Sequence, residues 1–148
     1  MTHPVFVVPG SMEALKSLHA AADNGSVPLR THELIILRAS QINGCSGCVD
    51  MHARDLAAHG ETPERINAVA AWRDTAYYTE AERAALALTE CVTRLSDRPD
   101  PVPDDVWAEA ARHYDEAALG ALLVSIASIN VWNRLNVATK QIAGEHAS

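Results

Sequence analysis

The spacing of apolar residues along the chain predicts helices almost throughout. Behind Thr79 the apolar positions recur at steps of three and four, which is the period of an amphipathic helix. They are Ala81, Ala84, Ala85, Leu88, Val92 and Leu95. Thr79 and Glu82 have the spacing of a capping box at the start of this helix. Strand-like alternation is nearly absent, so the pattern predicts an all-α fold.

Seven helical segments and their breaks are predicted by the same criteria. The segments are 12–22, 31–42, 45–59, 63–73, 80–95, 104–114 and 115–142, the last with a possible kink near Gly120. Glycine at positions 44 and 60 and the proline-rich stretch 98–103 interrupt them. The segment 31–42 is so rich in leucine and isoleucine that we expect it to be buried on most sides. We predict one domain of about six to eight helices over residues 1–148.

Composition narrows the classes of function. The 148 residues are 48% hydrophobic and 21% charged, a globular balance, and 12 basic against 19 acidic residues give a net charge of −7. A nucleic-acid binder needs a basic face, so we expect no nucleic-acid partner. The longest charge-free run, 117–133, is short for a membrane span and contains four polar residues. The N-terminus does not resemble a signal peptide, and we expect a cytoplasmic protein without a membrane association.

The candidate chemistry lies at the start of segment 45–59. Cys45, Cys48, Val49, His52 and Leu56 share one face of this helix, and the apolar members indicate that the face points inward. Cysteines three apart on a helix have α-carbons about 5 Å apart, which a disulfide allows. The helix N-terminus also favours the thiolate form. This arrangement predicts a reactive thiol pair next to an imidazole.

Glu33 can be placed by counting along an antiparallel hairpin that turns at Asn43 and Gly44. It then lies level with residue 54, about 3 Å along the axis from His52 and about 9 Å from Cys48. We expect Glu33 and His52 to share one cavity with the cysteines. Glu33 would orient or deprotonate His52, and His52 would take the proton of Cys48. A carboxylate on so apolar a helix should have a raised pKa.

These four residues follow the pattern E-x11-C-x2-C-x3-H, which resembles the core motif of AhpD-like alkylhydroperoxidases in the carboxymuconolactone decarboxylase superfamily. The likeness covers about residues 27–59, and 129–134 resembles the last long helix of that family. The best-known member has histidine before its second cysteine, where this chain has Gly47. The resemblance implies an all-helical fold that assembles into homotrimers or homohexamers.

The resemblance also implies an activity, namely peroxide reduction through a dithiol/disulfide cycle. Cys48 would be the peroxidatic thiolate and Cys45 the resolving thiol, with Glu33 and His52 as the proton relay. The expected partners are a hydroperoxide substrate and a dithiol reductant or redox adaptor protein. The cycle requires no flavin, haem or metal cofactor.

Two alternatives remain open. A decarboxylase or lactone-processing enzyme of the same superfamily would not need the thiols. A non-catalytic zinc-bound protein could use Cys45, Cys48 and His52 with Cys91, His59 or Glu33 as the fourth ligand, although no second ligand pair at zinc-site spacing is present. Otherwise Cys91 is expected to be a small buried apolar residue, and His59 to interact with the end of its helix.

Other polar residues are less informative. Asn130, Asn133 and Arg134 lie on a largely apolar helix, so their polar groups need partners either at a subunit interface or site wall, or within the core. The remaining histidines have no spacing signal, and we expect them at the solvated surface. They are His3, His19, His32, His113 and His146.

Overall fold

Eight α-helices form the part of the chain that the structure, a computed structural model, describes, residues 1–145, and no strand occurs within it. They are α1 (Pro4–Val7), α2 (Ser11–Ala22), α3 (Leu29–Asn43), α4 (Ser46–Ala58), α5 (Pro63–Ala68), α6 (Glu80–Thr93), α7 (Asp104–His113) and α8 (Glu116–Ala138). Two short 3₁₀-helices, Val69–Asp74 and Leu95–Asp97, follow α5 and α6. The predicted all-α class is confirmed. His146, predicted at the surface, lies outside the described residues.

The helix ends follow the predicted capping chemistry. The hydroxyl of Thr79 accepts from the backbone N–H of Glu82 at 3.2 Å, and the Glu82 carboxylate accepts from the Thr79 N–H at 2.8 Å. This capping box begins α6 as predicted. Thr62 caps α5, with Pro63 in its first turn. Gly60, with φ of 85°, follows α4 in the left-handed conformation that favours glycine.

Three differences from the sequence prediction are larger than a shift of one or two residues at a helix end. The four-residue α1 is too short to show a period, and it is capped by the side chain of His3. The segment predicted as one helix over 63–73 changes to a 3₁₀-helix at Val69. α8 runs through Gly120 as one helix and ends at Ala138, not at residue 142.

The end of α8 is set by Lys140, whose φ of 55° lies in the left-handed region. The N–H of Gln141 bonds to the carbonyl of Asn136 at 2.9 Å, and that of Lys140 to the carbonyl of Val137 at 3.2 Å. These two bonds close the helix in a Schellman-type turn. The chain therefore folds back over the start of α4, where the carbonyl oxygen of Gln141 would lie 3.3 Å from a Cβ added to Gly47. A larger residue between the cysteines would have to displace this turn.

The core is built around α3, which is buried on most sides as predicted. Leu34, Ile35, Ile36 and Leu37 are at most 2% exposed. Ile35 and Ile36 pack into one apolar cluster with α6, α7 and α8, and Leu34 and Leu37 pack into a second with α4, α6 and the 3₁₀-helix. Because α3 is held on both sides, the turn that connects it to α4 is firmly anchored.

α8 is the second central helix. It is long and apolar enough to cross a membrane by length and composition alone. However, 56% of its most apolar window is buried inside the fold, where it packs against α3, α6 and α2. This burial is typical of a core helix.

The polar residues of α8 bond within the core and support the α3–α4 turn. Asn43, the last residue of α3, donates from its amide to the Oδ1 atoms of Asn130 and Asn133 at 2.9 Å each. Asn133 donates to the hydroxyl of Ser40 at 3.1 Å, and Arg134 donates to Asn130 Oδ1 at 2.7 Å. Asn130 and Asn133 are buried and bond within the core, whereas Arg134 is exposed and donates to Asn130 from the surface of α8.

Candidate functional site

Cys45 and Cys48 are joined by a disulfide at the N-terminus of α4. Their α-carbons are 5.3 Å apart, and each residue is 1% exposed. Cys45 is the N-cap, and its sulfur accepts from the backbone N–H of Cys48 at 3.3 Å. The prediction that the two sulfurs lie close enough to bond is confirmed.

The turn before the pair holds Cys45 in this position. Gly44 has φ of 67°, a conformation that costs a glycine little. The N–H of Cys45 bonds to the carbonyl of Ser40 at 3.1 Å, and that of Gly44 to the carbonyl of Gln41 at 3.2 Å. With Asn43 fixed by α8, both sides of the turn are restrained and the cysteines have a defined place.

The predicted inward face of α4 is present. Leu56 is fully buried, and Val49 packs against the same apolar cluster. The His52 side chain is 12% exposed, whereas Arg54 on another face is 71% exposed. The helix therefore turns its thiols and its imidazole toward the interior together.

A cavity of about 460 Å³ lies beside Cys48. Its apolar walls come from α1, α2, α4 and α8, and they are Val5, Phe6, Met12, Met51, Ile129 and Trp132. Its polar lining consists of His3, Lys16, His19, His52, Asn136 and Gln141. Cys48 lines this cavity and Cys45 does not, so Cys48 is the cysteine that faces a molecule in the cavity.

His52 is a neutral imidazole at physiological pH. Burial lowers its pKa to about 4, against the opposing effect of Asp55, and the neighbouring His19 and His32 lower it further. Its Nδ1 lies 3.7 Å from Asp55 Oδ2, and its Nε2 is buried without a hydrogen-bond partner among the described residues. The neutral form of an imidazole is the one that accepts a proton, and His52 lines the same cavity as Cys48.

The lowered pKa of His52 predicts a loss of stability in mild acid. Below pH 6.5 the unfolded chain protonates this residue, whereas the folded chain does so only near its lowered pKa of about 4. The free energy of unfolding should therefore fall as the pH falls from 6.5 to 4, with His52 contributing up to about 3 kcal/mol. Denaturant unfolding at several pH values measures the slope. His52→Gln should flatten it, and an unchanged slope in this variant would contradict the assignment.

Glu33 is buried but is paired with a different histidine from the one predicted. Its Oε1 lies 2.6 Å from Nδ1 of His59, and its Oε2 is buried without a partner in the described chain. Burial raises the pKa of Glu33, and His59 partly opposes this effect. The raised direction agrees with the expectation from the sequence.

Glu33 and His52 line different cavities, contrary to the expected shared one. Glu33 and His59 face a smaller cavity of about 200 Å³, which Leu56 also lines. Counting along a hairpin gives the height of a residue but not the direction of its side chain around the axis. His59, expected to act on its own helix end, instead presents its ring to the α3 carboxylate.

Two residues of the site were missed from the sequence. Asn136 on α8 donates from Nδ2 to Cys48 Sγ at 3.1 Å, and His3 contacts Asn136 Oδ1 through Nε2 at 2.8 Å. Asn136 continues the three-residue spacing of Asn130 and Asn133, a signal that could have found it. His3 offers no local signal, because its contact lies 133 residues away in sequence.

Of the histidines expected at the surface, His113 is exposed, His19 is half-buried, and two are buried. His3 is 9% exposed and His32 is 3% exposed, so for these two the expectation was wrong. His32 Nδ1 lies 3.1 Å from the hydroxyl of Ser125, and burial lowers the pKa of this histidine. His19 is half-buried with its ring edge toward His32, at 5.4 Å between centroids. α2 packs against α8, and this packing places the ring of His19 next to that of His32 on α3.

The ligands of the zinc alternative are not brought together. Within residues 1–145, no group of three or more His, Cys, Asp or Glu side chains is arranged to hold a metal ion. Cys91 is a buried free thiol on α6, as expected, and its sulfur accepts from Arg98 at 3.3 Å. It lines a different cavity from the one beside Cys48.

Comparisons with known proteins agree with this architecture. A family model described as the carboxymuconolactone decarboxylase family matches residues 9–90. The uncharacterised protein YdfG of Bacillus subtilis is 36% identical over 132 residues, which cover 89% of this chain and 88% of that protein. The uncharacterised protein YnjA of Escherichia coli is 31% identical over 105 residues, covering 71% of this chain and 56% of its own length.

Solved structures extend the likeness to the whole fold. A protein of unknown function from Agrobacterium tumefaciens, ATU0492, described as a candidate antioxidant defence protein AhpD, superposes with a TM-score of 0.85. It is 34% identical, and the match covers 90% of each chain. The debrominase Bmp8 superposes with a TM-score of 0.79 at 26% identity, covering 92% of this chain and 73% of that one. The fold is therefore shared with a debrominase as well as with a protein of unknown function.

Proposed function

The chain belongs to the carboxymuconolactone decarboxylase family and is AhpD-like, and from this premise we propose that it is a thiol peroxidase that reduces hydroperoxides. One observation carries the proposal. The bonded pair Cys45 and Cys48 presents only Cys48 to a cavity, and the neutral imidazole of His52 lines the same cavity. A nucleophile, a partner that closes a disulfide and a proton acceptor are the parts that thiol peroxidase chemistry requires.

The first step is attack by Cys48 on the peroxide. His52 takes the proton of the Cys48 thiol, and the thiolate sulfur attacks the terminal oxygen of the hydroperoxide. The O–O bond breaks, the sulfur becomes a sulfenic acid, and the departing alkoxide takes the proton from protonated His52 and leaves as an alcohol. The α4 N-terminus favours the thiolate because its backbone N–H groups carry partial positive charge.

The second step forms the disulfide. The Cys45 sulfur attacks the sulfur of the Cys48 sulfenic acid, the S–O bond breaks and water leaves. The product is the disulfide that the structure contains. A dithiol reductant then supplies two electrons and two protons by thiol–disulfide exchange, which restores both thiols.

Glu33 is the proposed outer member of the proton relay. Burial raises its pKa above the ordinary value of a carboxylate, which favours proton exchange, and its Oε2 is buried without a hydrogen-bond partner in the described chain. In the disulfide form Glu33 is paired with His59, so a relay to His52 requires this carboxylate to turn or to act through water.

The proposal includes the electron donor, the cellular compartment and the oligomeric state. The electron source is a dithiol reductant or redox adaptor protein in the cytoplasm, where thiols are kept reduced. The enzyme is a homotrimer or homohexamer. The exposed apolar side chains of Phe6, Val7 and Val8 are candidates for a subunit contact.

The proposal is tested with the reduced purified chain and cumene hydroperoxide. Without reductant, each chain should consume one peroxide and lose two hydrogens in mass at the peptides of Cys45 and Cys48. With dithiothreitol present, consumption should continue over many turnovers. Peroxide that leaves the pair reduced, or stoichiometric zinc in the purified protein, would count against a thiol peroxidase.

A further inference from the structure

We propose that Asn136 is a catalytic residue that holds the negative charge of Cys48 through a hydrogen bond to its sulfur, and that His3 positions Asn136 for this bond. The inference rests on the proposed function, because it matters only if Cys48 reacts as a thiolate. It assigns chemistry to two parts of the chain outside the four-residue motif, the segment before α1 and the last turn of α8.

The direction of every hydrogen bond in this arrangement is fixed by one backbone N–H. The N–H of Val5 donates to His3 Nδ1 at 3.3 Å, so the neutral His3 ring carries its proton on Nε2. Nε2 must then donate to an acceptor, and the atom 2.8 Å away is Asn136 Oδ1. The amide nitrogen of Asn136 is left facing Cys48 Sγ at 3.1 Å. The histidine thus determines which end of the amide meets the sulfur.

His3 is held in place by packing as well as by hydrogen bonds. Its ring lies 6.1 Å from that of Trp132 with 26° between the planes, and 6.1 Å from Phe6 in an edge-on arrangement. The residue is 9% exposed. A side chain restrained in this way loses little entropy when it orients a neighbour, which is how a positioning residue acts.

The bond to Cys48 is worth most in the reduced enzyme. A disulfide sulfur is a weak acceptor, whereas a thiolate carries a full charge, and hydrogen bonds to charged groups are the stronger ones. His52 on α4 accepts the proton, and Asn136 on α8 stabilises the charge that remains on the sulfur. The other ionisable groups that line the cavity are Lys16 and His19 of α2 and His3 before α1. Asn136 is the group that hydrogen-bonds the Cys48 sulfur from outside α4.

The test measures the pKa of the Cys48 thiol in the reduced chain. The rate of alkylation by iodoacetamide is followed against pH, and mass spectrometry of the peptide assigns the reaction to Cys48. Removing one hydrogen bond to a charged group should raise this pKa by about one to two units in Asn136→Ala. Asn136→Asp retains the contact with His3 but places a carboxylate at the sulfur, so it should raise the pKa further. Asn67→Ala, an exposed asparagine on α5, is the control and should match the wild type.

Two variants of His3 separate its positioning role from its role as a helix cap. His3→Asn can still cap α1, but its shorter amide does not reach Asn136, so the Cys48 pKa should rise about as much as in Asn136→Ala. His3→Gln places an amide N–H near the position of Nε2 and should keep the wild-type value. Circular dichroism checks that each variant is folded.

The outcomes distinguish this proposal from the peroxidase itself. If Asn136→Ala and Asn136→Asp both titrate like the folded wild type, Asn136 does not stabilise the thiolate. Equal shifts in His3→Asn and His3→Gln would overturn the positioning role of His3. The titration uses no peroxide, so an inactive wild type with the expected pKa series would contradict the proposed function while leaving the hydrogen-bond assignment intact.

Discussion

Cys48→Ser should abolish peroxide consumption, with a rate at least about a thousandfold below that of the wild type. Serine has the same shape, but its hydroxyl does not ionise near neutral pH and cannot form a sulfenic acid. Cys48 is also the member of the pair that lines the cavity. The rate at which cumene hydroperoxide is consumed in the presence of dithiothreitol measures the effect.

Cys45→Ser should behave differently, and the contrast tests the assignment of the two roles. Without reductant this variant should also consume about one peroxide per chain, but its sulfenic acid at Cys48 should persist where the wild type forms a disulfide, because no resolving thiol is present. The product should gain the mass of one oxygen. The substitution should leave the start of α4 intact, since serine is a preferred N-cap and can accept from the Cys48 N–H in place of the sulfur.

Cys91→Ser is the matched control within the same chain. Cys91 lies on α6 and faces another cavity, so this variant should turn over peroxide as the wild type does. Equal peroxide turnover by wild type and Cys48→Ser would show that the thiol pair is not the site. That result would favour the superfamily alternative, a decarboxylase or lactone-processing enzyme that does not use the thiols.

The helices could be predicted from the sequence, and so could the position of both thiols and His52 on one helix face, because these features depend on local spacing. Residues 45, 48, 52 and 56 lie on one face of any α-helix, whatever packs against it. The capping box at Thr79 and Glu82 is likewise complete within four residues of sequence. Such features need no knowledge of the tertiary structure.

The contacts that the sequence did not predict join distant parts of the chain. Glu33 could bond to either His52 or His59, and the choice depends on the rotation of α4 against α3. The hydrogen bond between Asn136 and Cys48 spans 88 residues, and that between His3 and Asn136 spans 133. Lys140 ends α8 in a conformation usually taken by glycine, so no residue signal marked the boundary.

Glu90→Ala should lower the free energy of unfolding by about 3–5 kcal/mol, because it leaves the largely buried guanidinium of Arg38 without a counter-charge and Trp72 Nε1 without an acceptor. The Glu90 side chain on α6 is 6% exposed. Its Oε1 accepts from Arg38 Nε at 2.8 Å and from Trp72 Nε1 at 2.9 Å, and its Oε2 accepts from Arg73. Burial would raise the pKa of Glu90, but the hydrogen bonds from Arg73, Trp72 and Arg38 outweigh it and lower the pKa.

Thermal and denaturant unfolding measure this loss, and the expected decrease in melting temperature is about 6–20 °C. Glu90→Gln should destabilise the fold less than Glu90→Ala, because its amide oxygen can still accept from Trp72. It should still be less stable than the wild type, since the charge opposite Arg38 is lost. Glu109→Ala, which removes an exposed carboxylate from α7, is the control and should melt close to the wild type.

Because Glu90 does not line the cavity beside Cys48, folded Glu90→Ala should keep the wild-type peroxidase rate at temperatures well below its melting temperature. A melting temperature within about 2 °C of the wild type would mean that the arginines find other partners and that this buried cluster does not hold α3 against α6.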